Sequence, residues 1–97
     1  MTASDLKKSI SQPQPPSGLS TLLQALWYEA KGDWAKAHAL AQEDATKNGA
    51  LVHAYLHRKE GDDSNAHYWY RRAGKDSSHL DLKSEWEEIA RILIEHS

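Results

Sequence analysis

Apolar residues first take a helical spacing at Leu19. Leu19, Leu22, Leu23, Leu26, Trp27 and Ala30 follow the i, i+3, i+4, i+7 rule that turns one stripe of a helix toward a core. Gly32 ends the pattern, because glycine takes the left-handed conformation after a helix at little cost, and Asp33 offers its carboxylate to the free N–H groups of the next helix. That second helix presents Trp34, Ala37, Leu40, Ala41 and Ala45 and runs to Asn48-Gly49, which reads as another left-handed stop. A third carries Leu51, Val52, Tyr55 and Leu56 and stops at Gly61. Asp62 or Asp63 caps a fourth, with Ala66, Trp69, Tyr70 and Ala73 on it, which Gly74 ends. After the polar stretch KDSSH, Asp81 caps a fifth helix with Leu82, Trp86, Ile89 and Leu93 on one face. No stretch sustains a period of two, so no sheet is predicted.

Residues 1–18 behave differently. SISQPQPPSG is rich in Ser, Gln and Pro and offers almost nothing to bury, so it reads as a disordered tail. The alternative is a segment that folds back onto the domain. Residues 19–97 form a single domain in this reading.

A repeat runs through that domain. With an offset of 29 positions, Ala25, Gly32, Asp33, Ala37 and His38 fall on Ala54, Gly61, Asp62, Ala66 and His67. Each unit is a helix, a Gly-Asp turn and a second helix, with a small Ala where the two helices approach. Neither hairpin buries its apolar face alone, so stacking them builds the core. The predicted fold is therefore all-α: two stacked antiparallel helix-turn-helix hairpins and a C-terminal capping helix.

The stretches LWYEAKGDWAKAHALA and AYLHRKEGDDSNAHYWYRRA resemble the tetratricopeptide-repeat (TPR) class. Tyr28, Gly32, Trp34 and Ala37 fit its pattern in the first unit, and Gly61, Ala66, Tyr70 and Ala73 in the second. The repeat departs from the class in its period of 29 rather than about 34. It also lacks the proline at the repeat end, and it has His57 and Asp63 where aromatics are usual. The resemblance implies an interaction module whose first helices line a concave groove, and a fifth helix that covers the last open repeat face. Leu22, Leu26, Glu29, Leu51, Tyr55, Arg58 and Lys59 would lie in that groove. The block around HAYLHRKEGD and YWYRRAG also resembles small bacterial and fungal proteins, a likeness that brings no function with it.

Composition narrows the function classes. The chain has 97 residues, 27% of them charged, and a net charge of −2. Nothing global attracts nucleic acid or an anionic membrane. Without cysteine there is no disulfide and no thiolate-ligated zinc. No apolar run approaches the roughly 20 residues of a membrane span, and the first residues lack the apolar core of a secretory signal, so a cytoplasmic location is expected. There is no nucleophile elbow, phosphate-binding loop or other cofactor motif. No cofactor and no catalytic residue are expected.

Two constellations carry candidate chemistry. In HYWYRR, three consecutive aromatics span about 200° of a helix, more than one buried face holds. Tyr68 matches an outward position and sits beside Arg71 and Arg72. Residues 50–75 carry a net +2, while residues 76–97 carry a net −4. A groove with Tyr55, Arg58 and Lys59, together with Tyr68, Arg71 and Arg72, would suit an acidic or C-terminal peptide. Equally, the basic hairpin and the acidic last helix would neutralise each other within one molecule. The second constellation is histidine-rich. His53 and His57 lie four apart on one helical face, and His67 across the hairpin would complete a metal or small-molecule site with hydrolytic potential. The competing reading makes them hydrogen-bonded structural residues. So short an array would also expose an apolar edge that a homodimer would cover.

Overall fold

Every helix begins where a side-chain oxygen takes up a free N–H. The computed structural model describes residues 1–95, leaving His96 and Ser97 outside. It contains α1 (Ala3–Lys8), α2 (Thr21–Ala30), α3 (Trp34–Gln42), α4 (Lys47–Glu60), α5 (Asp63–Arg72) and α6 (Leu82–Glu95). A 3-10 turn, Ser9–Ser11, follows α1. No strand occurs among the described residues, and no helix is long and apolar enough to cross a membrane. Ser20, Asp33, Thr46 and Asp62 accept the N–H three residues on, and Asp81 accepts that of Ser84 at 2.7 Å. Such caps each stabilise by about 1 kcal/mol.

The 29-residue repeat is a repeat of turn geometry. Gly32 and Gly61 have φ of 93° and 89°, in the left-handed region. In both copies the following Asp N–H reaches back to a carbonyl at 2.9 Å, Asp33 to Tyr28 and Asp62 to His57. These are the reach-back bonds that satisfy the orphan carbonyls at a helix end.

Gly49 does something else. It is not a left-handed stop: it sits inside the first turn of α4, and α3 has already ended at Gln42, which leaves Ala45 in the connection. A Cβ on Gly49 would overlap the backbone oxygen of Asp44, so glycine is required by a close approach. Asp44 shapes that approach by accepting from the N–H and hydroxyl of Thr46 at 2.8 and 2.5 Å.

Helix α2 packs on α3 and α4 on α5, and α3 against α4 stacks the two hairpins. Helix α6 closes the core by lying across both first helices, α2 and α4, with α1 on its other flank. It covers the groove side rather than the end of the stack. Trp27, Leu26, Val52, Leu56 and Ile89 are fully buried at the centre.

The N-terminal segment belongs to this core. Residues 1–18 read as a disordered tail, but Leu6 is fully buried, and the Trp27 indole donates to Ser9 Oγ at 3.1 Å. Lys7 reaches Glu87 of α6 at 2.8 Å. One buried leucine in six helical residues is too short a pattern to show periodicity. A capping box between Thr2 and Asp5 sets the helix, and α6 supplies the surface that holds it.

Two substitutions test this packing. Leu6→Ala is expected to cost about 2–4 kcal/mol in urea unfolding. A wild-type midpoint would place the segment outside the cooperative unit. Gly49→Ala is expected to cost about 1–3 kcal/mol, because backbone must shift to admit the methyl group.

Candidate functional site

Helix α6 takes up part of the groove expected to bind a partner, and a cleft of about 390 Å³ stays open beside Glu29, Tyr55, Lys59 and Trp86. Glu85 of α6 is 3% exposed and lies against α4 and α5. Arg58 donates to Glu85 Oε1 at 2.6 Å and to the Leu80 carbonyl at 2.5 Å. The Tyr70 hydroxyl donates to the other carboxylate oxygen at 2.5 Å. Lys59 pairs with the buried Glu29, and the Trp86 indole donates to the Leu26 carbonyl at 3.1 Å. Tyr55 is buried beside these groups. Burial, with Glu29 and Glu85 nearby, pushes the Tyr55 hydroxyl well above the usual phenol range. Arg58 and Tyr55 are thus engaged within the fold, whereas Lys59, although paired with Glu29, stays exposed. Among the described residues one ion pair, Arg58–Glu85, joins the basic segment to the acidic one.

The other three candidates lie outside. Helix α5 packs chiefly on α4, and its far side carries Arg71, Arg72 and Tyr68, the last 47% exposed. The Arg72 guanidinium lies over the rings of Tyr68 and Trp69, 5.8 and 5.4 Å from their centroids, and donates to the Tyr68 hydroxyl. A cleft of about 440 Å³ opens between this end of α5 and the α3–α4 connection, walled by Asp44, Thr46, Lys47, His53, Trp69 and Arg72. Among the described residues Lys47, Arg71 and Arg72 form no ion pair, whereas Lys7, Arg58 and Lys59 each have one.

Behind Trp69 the rings continue inward. Trp69 stacks on His53 with centroids 3.9 Å apart, and His53 stacks on His57 at 5.0 Å. His38 of α3 meets both edge-on and is itself stacked on Trp34. Trp34 is fixed by its indole N–H, which donates to the Leu56 carbonyl at 2.9 Å. His38 and His53 share a hydrogen bond between their Nε2 atoms at 2.8 Å, and His57 Nδ1–H donates to Glu60 at 3.2 Å. One ring nitrogen from each of His38, His53 and His57 lies within 4.8 Å of the others.

His67 is not among them. It is exposed on α5, beside Asp63 and Arg71. His38 and His67 are equivalent in the repeat, but α3 has a hairpin stacked on it and α5 has none. The interior copy therefore turns His38 toward α4, and the terminal copy turns His67 to water. The signal that identifies the third histidine was the repeat itself: the helix that packs on His53 and His57 from the other hairpin is α3.

Burial pushes the imidazole of His38 below its ordinary value, helped by His57. Burial, with His38 and His57 beside it, lowers that of His53 to about 4. Charging either ring inside the stack is unfavourable.

No family model, curated protein or solved structure matches the chain.

Two outcomes follow. Arg58→Met is expected to cost about 3 kcal/mol in urea unfolding, because it strands a buried carboxylate. The second concerns pH in the metal-free protein. The folded values of His38 and His53 lie below that of an unfolded histidine near 6.5, so between pH 6.5 and 4 the unfolded chain binds more protons. Their contribution is complete above pH 6.5 and is lost as pH falls toward 4. Thermal unfolding followed across that window is expected to show a falling midpoint, and less so in His53→Gln. Equal slopes in the two proteins would count against a neutral buried pair.

Proposed function

We propose that the protein is a helical interaction module that docks an acidic peptide segment in the cleft between the α3–α4 connection and α5. One observation carries this reading. Lys47 and Arg72 flank an aromatic wall, Trp69, and neither has a carboxylate partner among the described residues. Arg58 and Lys59 of the same basic segment are already paired, with Glu85 and Glu29. Tyr68 and Arg71 extend the surface along the exposed side of α5.

The chemistry suits a carboxylate. A guanidinium presents two parallel N–H donors that match the two oxygens, and the Tyr68 and Trp69 rings beneath it, with the bond to the Tyr68 hydroxyl, restrict where it sits before the ligand arrives. Less rotamer freedom is then lost on binding. Tyr68 supplies rigid apolar contact with a polar tip, as aromatic anchors at interfaces do. The resemblance to the TPR class agrees with such a role, although the cleft bridges the two hairpins at the α3–α4 connection and no residue of α6 lines it. The interaction set is thus Tyr68, Arg71 and Arg72 with Lys47 and Trp69, while Tyr55, Arg58 and Lys59 serve the fold.

A fluorescein-labelled peptide of alternating Glu and Ser is the direct probe, with an alternating Gln and Ser peptide as control. Binding followed by anisotropy is expected to favour the acidic peptide and to weaken with added salt. Arg72→Glu is expected to weaken it by at least tenfold, or about 1.4 kcal/mol. Equal binding of both peptides, or by both proteins, would overturn the reading.

A further inference from the structure

We infer that His38, His53 and His57 form a site for one divalent transition-metal ion, Zn2+ by its ligand chemistry, held between the two hairpins. The inference does not rest on peptide docking, although His53 and Trp69 also wall that cleft.

The donor set comes first. Three imidazoles without a carboxylate suit Zn2+ and its neighbours in the transition series, not Mg2+ or Ca2+, which take oxygen. His53 and His57 project from one face of α4 at i and i+4, and His38 faces them from α3. Zn–N bonds of about 2.0–2.1 Å in a tetrahedral site put ligand nitrogens about 3.3 Å apart. The nitrogens here lie within 4.8 Å of one another, and the His38–His53 pair is at 2.8 Å. To reach that spacing the His38–His53 nitrogens would open by about 0.5 Å and the other pairs close by at most about 1.5 Å, shifts that can be made within the ring planes.

Outer contacts prepare the rings. His57 donates its Nδ1–H to Glu60, which leaves Nε2 with a lone pair. A ligating histidine characteristically gives its second N–H to a carboxylate in this way, which fixes the tautomer and raises ligand basicity. Trp34 and Trp69 are stacked on the outer faces of His38 and His53 and hold their planes. In the metal-free chain one Nε2 of the His38–His53 pair carries the hydrogen of their mutual bond. On metal binding that nitrogen becomes a ligand, and its hydrogen is transferred through solvent to Nδ1 of the same ring.

His38 is only partly buried, so the cluster has an edge toward water. Three protein ligands and a solvent-filled fourth position make an open site. Among the described residues no buried side-chain polar atom lacks a partner, so the three rings are hydrogen-bonded without the ion and it would add to a formed cluster. Its position is also mechanical: one ligand belongs to the first hairpin and two to the second, and the ion would tie them.

The test uses the full chain, stripped with EDTA. Calorimetric titration with ZnCl2 is expected to give one ion per chain, and CoCl2 to give the intense visible absorption of four-coordinate Co2+. His38→Ala is expected to weaken Zn2+ binding at least tenfold, and Glu60→Gln by about 10–100-fold, as outer partners of metal ligands do. His67→Ala is expected to bind as wild type. A second measurement avoids any folding defect in the variants. In the wild-type chain, imidazole 15N shifts of His38, His53 and His57 should move on Zn2+ addition while those of His67 and His79 stay. The inference is overturned by an absence of saturable binding. It is also overturned by binding that survives His38→Ala, or by 15N shifts that move at His67 and not at His38.

Discussion

A single buried carboxylate decides how the last third of the chain sits. Glu85 brings a charge into a place where water cannot solvate it, and an unpaired charge there would cost several kcal/mol. Only one seating of α6 offers both Arg58 from α4 and the hydroxyl of Tyr70 from α5. A slide of one helical turn would strand the charge, so the register of α6 is fixed by polarity as much as by packing. The same contact pushes the Tyr70 hydroxyl upward, through burial and the hydrogen bond to Glu85. Once α6 is seated, Trp86 meets Leu26, and the flank of α6 becomes the surface on which α1 settles through Leu6 and Lys7.

Much of this was written in local chemistry. The apolar spacing from Leu19 onward, the Gly-Asp turns and the Asp caps located α2 to α6, because each signal acts within four residues of itself. What escaped acts at a distance. Leu6 is a lone apolar side chain until α6 is present to receive it. Gly49 looks like any other helix-ending glycine, and only the approach of Asp44 shows that the missing Cβ is what matters. Arg58 and Lys59 look like binding residues because their partners, Glu85 and Glu29, lie 27 and 30 positions away.

The repeat also explains why its two copies differ. Trp34 lies in the interface between hairpins and needs a large ring with a donor for the Leu56 carbonyl. Its counterpart Asp63 is exposed at the end of the stack, as is His67. A terminal repeat has no further hairpin stacked on its outer face, so polar residues stand where the interior copy needs packing groups. The histidines follow the same rule: identical positions become cluster member or surface residue according to whether another hairpin is stacked upon them. Trp69 links the two proposed sites, with His53 on one face and the Arg72 guanidinium above the same ring.

The course of α6 across α2 and α4 changes how such an array yields to force. In an open stack each hairpin touches only its neighbours, so the whole gives way like a spring, one coil at a time. Here a single strut runs along both coils and is pinned at Glu85, with α1 braced behind it. Pulling the hairpins apart would have to tear out the strut first. Separating the hairpins therefore also means breaking the contacts of α6 with α2 and α4, and the two units would be expected to yield together rather than one after the other.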